Sequence, residues 1–271
     1  MTEQILTNYH THSTFSDGKN TPEEIVCYAI EMGMTSIGFS DHCHTPFDIR
    51  YCMSDTDGYI REINRLKKAY GDKIQIYLGI EEDAHSCTNP QNFDYIIGSS
   101  HYFHIGDQYY PIDSNYGYFQ KCLEVFRYDA CHLARTYYEN FCDYIKRRKP
   151  DIIGHFDLIT KFDETSGSYF LENAEYQKIA EQYAREMAKT GCLFEVNTGA
   201  IFRGFRSAPY PASHVLHVLQ KENCGLILSS DSHSAETLTF YFEETKYLLK
   251  DIGFQHIYVI KDNSFQKVTL S

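Results

Sequence analysis

The 271-residue sequence has no tryptophan, no apolar run long enough to cross a membrane, and no excess of basic charge. A membrane-spanning helix needs about 18 or more consecutive apolar residues. The formal net charge of −12 argues against broad electrostatic capture of DNA or RNA, because such capture requires a basic face. We therefore expect neither a membrane nor a nucleic acid as a partner.

Cysteine pairs, a secretory signal and glycine-rich nucleotide motifs are also missing. The nine cysteines include no Cys-x-x-Cys pair, so neither a zinc ribbon nor a disulfide framework is indicated. The first residues lack the basic region and apolar stretch of a secretory signal, and a cytoplasmic location with reduced thiols is expected. Without G-x-G-x-x-G or G-x-x-x-x-G-K-[ST], dinucleotide-binding and P-loop folds lose their main support.

Short apolar runs rich in β-branched residues alternate with longer amphipathic stretches. The runs predict strands at residues 5–9, 36–39, 74–79, 95–98, 151–154, 193–196 and 226–228, with a late strand at 257–260. The stretches predict a helix that begins at Pro22 after a Thr21 cap, and helices over 173–189, 211–222 and 235–249. This alternation is typical of βαβ units, and seven units favour a closed or nearly closed α/β barrel with parallel strands.

Ligand-type side chains follow each predicted strand of the barrel. In strand order they are His10 and His12, Asp41 and His42, Glu81, His101, His155, Glu195 and Asn197, and Asp231 and His233. The carboxyl ends of the strands carry the active site in parallel α/β barrels. A single histidine or aspartate at a strand end is more often structural, but seven successive strand ends indicate a shared site.

The ligand types point to metal ions. Imidazole suits zinc, iron and manganese, and carboxylates can bridge two such ions. The candidate ligands are His10, His12, Asp17, His42, Glu81, His101, His155, Asp231 and His233. One ion needs about four protein ligands, and a catalytic ion keeps a position open, so this set indicates two or three ions.

The motifs H-T-H, S-D-H, G-I-E, G-S-S-H, G-H-F-D and S-D-S-H, in this order, resemble those of the polymerase-and-histidinol-phosphatase (PHP) superfamily. The resemblance covers residues 10–233. The length, the insertion after His101 and the sequence G-H-F-D-L-I-T-K-F are most similar to those of the histidinol-phosphate phosphatase branch. The resemblance implies a distorted (β/α)7 TIM-like barrel, with the active site at the C-terminal ends of the strands and three divalent metal ions per chain.

The resemblance also implies how the ligands are shared. The first ion would be held by His10, His12, Glu81 and Asp231. Glu81 would bridge to a second ion that His101 and His155 also hold, and Asp17, His42 and His233 would hold the third. Some members of the superfamily have histidine in place of Asp17. A carboxylate is a harder ligand, so iron or manganese is expected at that site as readily as zinc.

Charge balance favours a small-molecule phosphate monoester as the substrate. Three divalent ions bring six positive charges, of which Asp17, Glu81 and Asp231 neutralise three, and the remainder suits a phosphate dianion beside a hydroxide. Metal coordination lowers the pKa of water to about 7, so a metal-bridging hydroxide is expected to attack phosphorus in line. Asp231 and His233 are the candidate catalytic side chains, with Asp231 or a metal-bound water supplying a proton to the leaving group.

Three cations near the strand ends are candidate phosphate contacts. Arg203 and Arg206 follow the sixth strand, and Lys161 follows the fifth. Arginine can bind two phosphate oxygens at once, which makes Arg203 the strongest candidate. Each could equally be a solvated surface cation.

Other polar residues are expected to support the site. Glu195, Asn197 and Asp41 would orient ligands or substrate from behind. The segment 102–149 is expected to be an insertion in a single PHP-type barrel domain spanning residues 1–271. It would begin as a loop, continue from about residue 116 as one or two helices, and pack over or beside the active-site face. His104 would either line a lid that contacts an imidazole, or belong to a packed aromatic loop.

The leading hypothesis is a metal-dependent phosphomonoesterase acting on L-histidinol phosphate in histidine biosynthesis. An alternative keeps the metal centre but changes the substrate to a nucleotide, a sugar phosphate, a phosphotyrosine protein or a DNA end, of which the acidic charge balance disfavours DNA. A non-catalytic metal-binding domain is the third hypothesis, although such a domain would be expected to lack several of the nine ligands. The sequence contains no indication of the oligomeric state.

Overall fold

The computed structural model describes residues 6–86 and 88–270, and its central feature is a parallel sheet. Within the described residues the strands are β1 (Thr7–Asn8), β2 (Ser36–Phe39), β3 (Gln75–Asp83), β4 (Tyr95–Ser99), β5 (Tyr102–Ile105), β6 (Gln108–Pro111), β7 (Ile152–Ile153), β8 (Leu193–Asn197), β9 (Leu226–Ser229), β10 (His256–Lys261) and β11 (Ser264–Thr269). Seven of them form one sheet in the order β1-β2-β3-β4-β7-β8-β9, with every neighbouring pair parallel.

Backbone hydrogen bonds join the two edges of this sheet beyond β1 and β9. The His12 N–H donates to the Ser232 carbonyl at 2.8 Å, and the Ser232 N–H donates to the His10 carbonyl at 3.0 Å. The sheet is therefore a nearly closed barrel, and the predicted TIM-like α/β barrel of seven parallel strands is confirmed. All seven predicted strands are present, although residue 5 of the first prediction lies outside the described residues.

Helices surround the barrel. They are α1 (Pro22–Glu31), α2 (Thr56–Tyr70), α3 (Tyr116–Val125), α4 (Ala130–Arg148), α5 (Asp163–Ser166), α6 (Ala174–Ala188), α7 (Gly199–Phe202), α8 (Ser213–Lys221) and α9 (Phe242–Ile252). The predicted cap of α1 is confirmed: Thr21 Oγ1 accepts from the Glu24 N–H, and the Glu24 carboxylate accepts from the Thr21 N–H. Among the described helices, none has the length and apolar character that a bilayer crossing requires.

Two predicted elements differ from the structure. The helix predicted over 235–249 is a short 3-10 turn, Ala235–Thr237, followed by α9 from Phe242. The break lies at Tyr241, whose φ of 62° is left-handed, and Thr198 Oγ1 donates to the Phe240 carbonyl there. The loop predicted at the start of segment 102–149 is instead the antiparallel β5–β6 hairpin, which turns at Gly106 with a φ of 62°.

The rest of segment 102–149 forms α3 and α4, in agreement with the predicted helices. α4 lies in the outer ring of helices and packs against α6, where Tyr138 and Tyr176 join their hydroxyls at 2.9 Å. The predicted late strand is β10, and β11 pairs with it in an antiparallel hairpin.

Tyrosines and the β10–β11 hairpin close the amino-terminal end of the barrel. Tyr9 accepts from the Ile260 N–H through its hydroxyl at 2.9 Å, which joins β10 to the barrel interior. The buried Tyr95 donates from its hydroxyl to the carbonyls of Tyr9 and Phe39, at 2.5 and 3.2 Å. A Cβ at Gly79 would lie 2.2 Å from the Tyr95 ring, so only glycine fits at this position of β3. The opposite end of the barrel is left for the polar strand ends.

The Tyr95 hydroxyl is expected to contribute measurably to stability. Tyr95→Phe leaves two buried carbonyls with one donor fewer, which should lower the free energy of unfolding by about 1–3 kcal/mol. Tyr247→Phe is the matched control, because the Tyr247 side chain is 65% exposed on α9. Urea unfolding of both variants checks this prediction, and equal midpoints for the two variants would contradict it.

Candidate metal centre

The nine candidate ligands converge at the carboxyl end of the barrel. His10 and His12 follow β1, His42 follows β2, Glu81 lies in β3, His101 follows β4, His155 follows β7, and Asp231 and His233 follow β9. Asp17 lies in the turn after β1. A cavity of about 610 Å³ opens here, and seven of the nine line it: Asp17, His42, Glu81, His101, His155, Asp231 and His233. The remaining two, His10 and His12, are fully buried beneath.

Glu81 lies at the centre of the cluster, with each carboxylate oxygen facing different histidines. Oε2 lies 3.3 Å from His10 Nε2 and 3.6 Å from His12 Nε2. Oε1 lies 2.9 Å from His155 Nε2 and 3.4 Å from His101 Nε2. A carboxylate that presents its two oxygens to separate sets of donors has the arrangement needed to bridge two ions.

Asp231 completes the first group of donors. Its Oδ1 lies 3.3 Å from His12 Nε2 and 3.8 Å from His10 Nε2. Together with Glu81 Oε2, these atoms form the four-residue set that the family resemblance implies for the first ion.

Asp17 gathers the third group. It lies 3.2 Å from His233 Nε2 and 3.7 Å from His42 Nε2, and also 3.7 Å from His12 Nδ1. The His12 ring therefore lies between the first and third groups. Its centroid is 4.3 Å from that of the His233 ring and 4.4 Å from that of the His42 ring. His42 Nδ1 also lies 2.8 Å from Glu81. His42 therefore contacts donors of more than one group, whereas the resemblance assigns it to the third ion alone.

Unpartnered buried atoms show that this cluster fits cations. His10 Nε2, both ring nitrogens of His12, and Glu81 Oε2 make no hydrogen bond of acceptable geometry within the described chain, despite their short separations. Buried polar atoms without partners are costly, and a divalent cation would satisfy several of them at once. Imidazole and carboxylate donors are those that zinc, iron and manganese accept.

Burial and mutual charge set the protonation of these groups. Burial and the neighbouring His233 and His42 lower the pKa of His12 to about 3, so its ring is neutral. Burial alone would raise the pKa of Glu81, but the surrounding histidines hold it well below its usual value. The pKa of the Asp231 carboxyl is likewise low, because Arg203 and His10 outweigh burial. Despite burial, neighbouring carboxylates raise the pKa of His10, His42 and His101, so these rings would release protons when a metal ion binds.

Glu195, in β8, supports the histidines from behind. Its Oε1 lies 2.5 Å from His10 Nδ1, and its Oε2 accepts from the His155 backbone N–H at 2.7 Å. Asn197 donates to the same oxygen at 3.0 Å. A carboxylate on the far nitrogen of an imidazole fixes its tautomer and directs the other nitrogen, here His10 Nε2, into the site.

Two further carboxylates shape the backbone around the ligands. Asp41 accepts from Ser13 and Ser16, in each case from the hydroxyl and the backbone N–H, and so holds the turn that carries Asp17. Asp83, which the sequence analysis missed, accepts from the His101 N–H at 2.8 Å and lies 3.2 Å from His101 Nδ1. Its position two residues after Glu81 on one strand was the available signal, since such residues share a face.

Two of the predicted substrate contacts line the cavity. Arg203 reaches Asp231 Oδ2 at 2.9 Å and His233 Nδ1 at 3.3 Å, and its side chain is 28% exposed. Lys161 donates from Nζ to the Asp113 carbonyl at 2.6 Å. Asp113 also lines the cavity and was missed, because it lies in the middle of the 102–149 segment rather than at a strand end.

The structure does not bring Arg206 and His104 to the cavity lining. Arg206 is buried elsewhere. Its guanidinium donates to Glu164 at 3.1 Å and lies 4.9 Å above the Tyr210 ring, so these two residues hold it away from the cavity. His104 is exposed on β5, and its ring stacks on that of Tyr109 with 4.4 Å between the centroids. Tyr109 in turn stacks on Phe47 at 3.6 Å, which agrees with the packed aromatic loop rather than a lid over the substrate.

The fold and the donor cluster define a divalent-metal site at the mouth of a seven-stranded parallel barrel. The PHP domain is the family whose model matches, over residues 8–199, and the chain belongs to this family.

Relatives and a solved structure match most of the length of the chain. A protein of Schizosaccharomyces pombe named "Probable histidinol-phosphatase" is 28% identical over 260 residues, covering 88% of this chain and 83% of the relative. The histidinol-phosphatase of Lactococcus lactis is 25% identical, covering 92% of each chain. The crystal structure of the histidinol phosphate phosphatase from Lactococcus lactis, complexed with zinc, L-histidinol and phosphate, superposes with a TM-score of 0.74. It is 24% identical and covers 97% of this chain and 99% of its own, which supports the barrel fold.

Removing the charge behind His10 is expected to weaken metal binding. Glu195→Gln should lower metal affinity about 10–100-fold, because the imidazole loses the carboxylate that orients it. Titration against a competing chelator measures this directly. Glu175→Gln, on the exposed face of α6, is the matched control and should leave metal affinity unchanged. Equal affinities in the two variants would contradict the role of Glu195.

Proposed function

We propose that this protein is a metal-dependent phosphomonoesterase that hydrolyses L-histidinol phosphate to L-histidinol and phosphate, a step of histidine biosynthesis. The observation that carries the proposal is the convergence of nine metal-type donors at the carboxyl end of the barrel, seven of them lining one cavity, with Arg203 beside them. Membership of the PHP family and the names of its relatives support this substrate.

Three divalent ions per chain are proposed, with zinc in the site and iron or manganese as further candidates. His10, His12, Glu81 and Asp231 would hold the first. Glu81, His101 and His155 would hold the second, and Asp17, His42 and His233 the third. When bound, the ions supply a water of lowered pKa as nucleophile and neutralise charge on the phosphoryl oxygens. The separate contacts of the two Glu81 oxygens support its role as the bridge.

The cations of the chain would bind the phosphate group. Arg203 is held by Asp231 at its NH2 end, and its partial exposure leaves the guanidinium facing the cavity. A planar guanidinium can donate to two phosphoryl oxygens at once. Lys161, which Asp113 holds in place, adds a second positive charge in the same cavity.

Asp231 and His233 are the proposed catalytic side chains. The low pKa of the Asp231 carboxyl keeps it ionised, so it would accept a hydrogen bond from the attacking water, and a water rather than Asp231 would supply the proton to the leaving group. His233 lies 3.5 Å from this oxygen through Nδ1 and is 27% exposed to the cavity. As a proposed ligand of the third ion, it would help to position the proton-donating water beside the leaving oxygen of the alcohol.

The proposed unit is one PHP-type barrel domain over residues 1–271, with segment 102–149 as an insertion beside the active-site face. Within that segment, Tyr102, Asp113 and Ser114 line the cavity, which supports a place beside the substrate. A small-molecule phosphate monoester is the proposed partner.

A substrate panel tests the assignment. We expect kcat/KM for L-histidinol phosphate to exceed that for p-nitrophenyl phosphate and common sugar phosphates by about 100-fold, because a site built for one alcohol rejects others. Phosphate release measured with the metal-loaded protein gives these values. Equal turnover of L-histidinol phosphate and the generic esters would overturn the substrate assignment while leaving a phosphatase.

Arg203 is expected to act mainly on substrate binding. Arg203→Ala should raise KM about 10–100-fold, because it removes a charge-assisted bidentate contact. Arg203→Lys keeps the positive charge but not the planar pair of donors, so its KM should lie between that of the wild type and that of Arg203→Ala. Metal content, measured in parallel, should change less than KM. Arg185→Ala on the surface of α6 is the control. A loss of metal that matches the loss of activity would instead assign Arg203 to the support of Asp231.

A further inference from the structure

We propose that Phe202 and Phe240 form an aromatic wall that binds the planar ring of the substrate alcohol and so determines specificity. The inference rests on the proposed phosphatase function and adds to it the surface that recognises the leaving group. It concerns substrate binding and assigns no new chemical step.

The two phenylalanines are exposed where large apolar side chains are usually covered. The Phe202 side chain is 52% exposed and that of Phe240 is 37% exposed. Their rings meet edge to face, with centroids 5.3 Å apart and planes at 73°. Both line the cavity that holds the metal donors. Apolar area left open beside a polar catalytic cavity commonly marks a ligand-binding surface.

The wall has a fixed position relative to the phosphate-binding cation. Phe202 is the last residue of α7 and directly precedes Arg203. α7 packs tightly on the end of β9, since a Cβ at Gly199 would lie 2.7 Å from the Ser230 carbonyl oxygen. Thr198 Oγ1 donates to the Phe240 carbonyl at 2.8 Å, which joins the second ring to the same support. A ligand held by Arg203 would therefore meet both rings at a defined place.

The other aromatic side chains of the cavity are already engaged. The Tyr102 side chain is 6% exposed, and its hydroxyl donates to Asp48 at 2.9 Å. The ring of Tyr51 packs edge-on against His42 at 4.8 Å. Among the described aromatic side chains that line the cavity, Phe202 and Phe240 are thus more exposed than the half-buried Tyr51 and the buried Tyr102.

The chemistry of the wall selects a ring rather than a polar chain. Phenyl rings offer no hydrogen bonds, but they attract flat aromatic groups edge to face or offset, and they attract cations over their faces. A neutral imidazole is a flat aromatic group, and a protonated imidazole is also a cation, so the phenyl rings would attract either form. The hydroxyl-rich body of a sugar phosphate is neither aromatic nor cationic, so the wall would favour alcohols that carry an aromatic ring.

Paired substrates test the inference in the metal-loaded protein. L-histidinol phosphate and L-alaninol phosphate differ only in the imidazole ring, so the ratio of their kcat/KM values reports ring recognition. We expect Phe202→Leu and Phe240→Leu each to lower this ratio about fivefold, chiefly through KM for L-histidinol phosphate. Phe202→Tyr keeps an aromatic face and should retain the ratio. Tyr247→Leu removes an exposed aromatic ring that does not line the cavity and is the control.

The outcomes separate this inference from the proposed function. If the wild-type protein prefers L-histidinol phosphate and both leucine variants keep that preference, the wall is overturned and the function stands. An equal loss on both substrates, or a loss of metal, would show that the phenylalanines are structural and would also overturn it. If the wild-type protein does not distinguish the two esters, the substrate assignment and the wall fail together.

Discussion

The burial of Glu81 among histidines is the constraint on which the rest of the site depends. Its side chain is 1% exposed, and its two oxygens lie within 3.6 Å of ring nitrogens from five histidines, which follow four different strands. Ionised groups at this depth are stable only when opposite charge compensates them. Divalent cations supply that charge and use the donor atoms that would otherwise be unpartnered. Metal binding and the local stability of the barrel mouth are therefore two aspects of one electrostatic requirement.

The barrel meets this requirement through register and closure. Parallel strands of a closed sheet end at one rim, so donors that are distant in sequence become neighbours. Closure beyond β1 and β9 brings His10 and His12 against Asp231, more than 200 residues away in sequence. At the opposite end, the tyrosine cluster and the β10–β11 hairpin fill the interior. Charged residues of the site are thus supported by a packed floor rather than by solvent.

Much of this arrangement is predictable from the sequence, because strand ends and ligand-type residues are local features. The seven strands and the positions of the nine donors follow from apolar runs and from the residues directly after them. The orientation of long side chains depends on partners elsewhere in the chain. Arg206 faces Glu164 and Tyr210 rather than the cavity, and nothing in its own neighbourhood of sequence indicates those contacts. Asp113 reaches the cavity only because the β5–β6 hairpin, predicted as a loop, directs the chain back to it.

The central claim is that the clustered donors hold three divalent ions around Glu81. A crystal structure of the metal-loaded protein, with anomalous diffraction collected at the absorption edges of zinc, iron and manganese, tests it most directly. We expect three anomalous peaks: one on each side of the Glu81 carboxylate and a third beside Asp17 and His233. Fully loaded protein with no peak next to Glu81, or with its metal outside this cavity, would contradict a three-ion centre around Glu81.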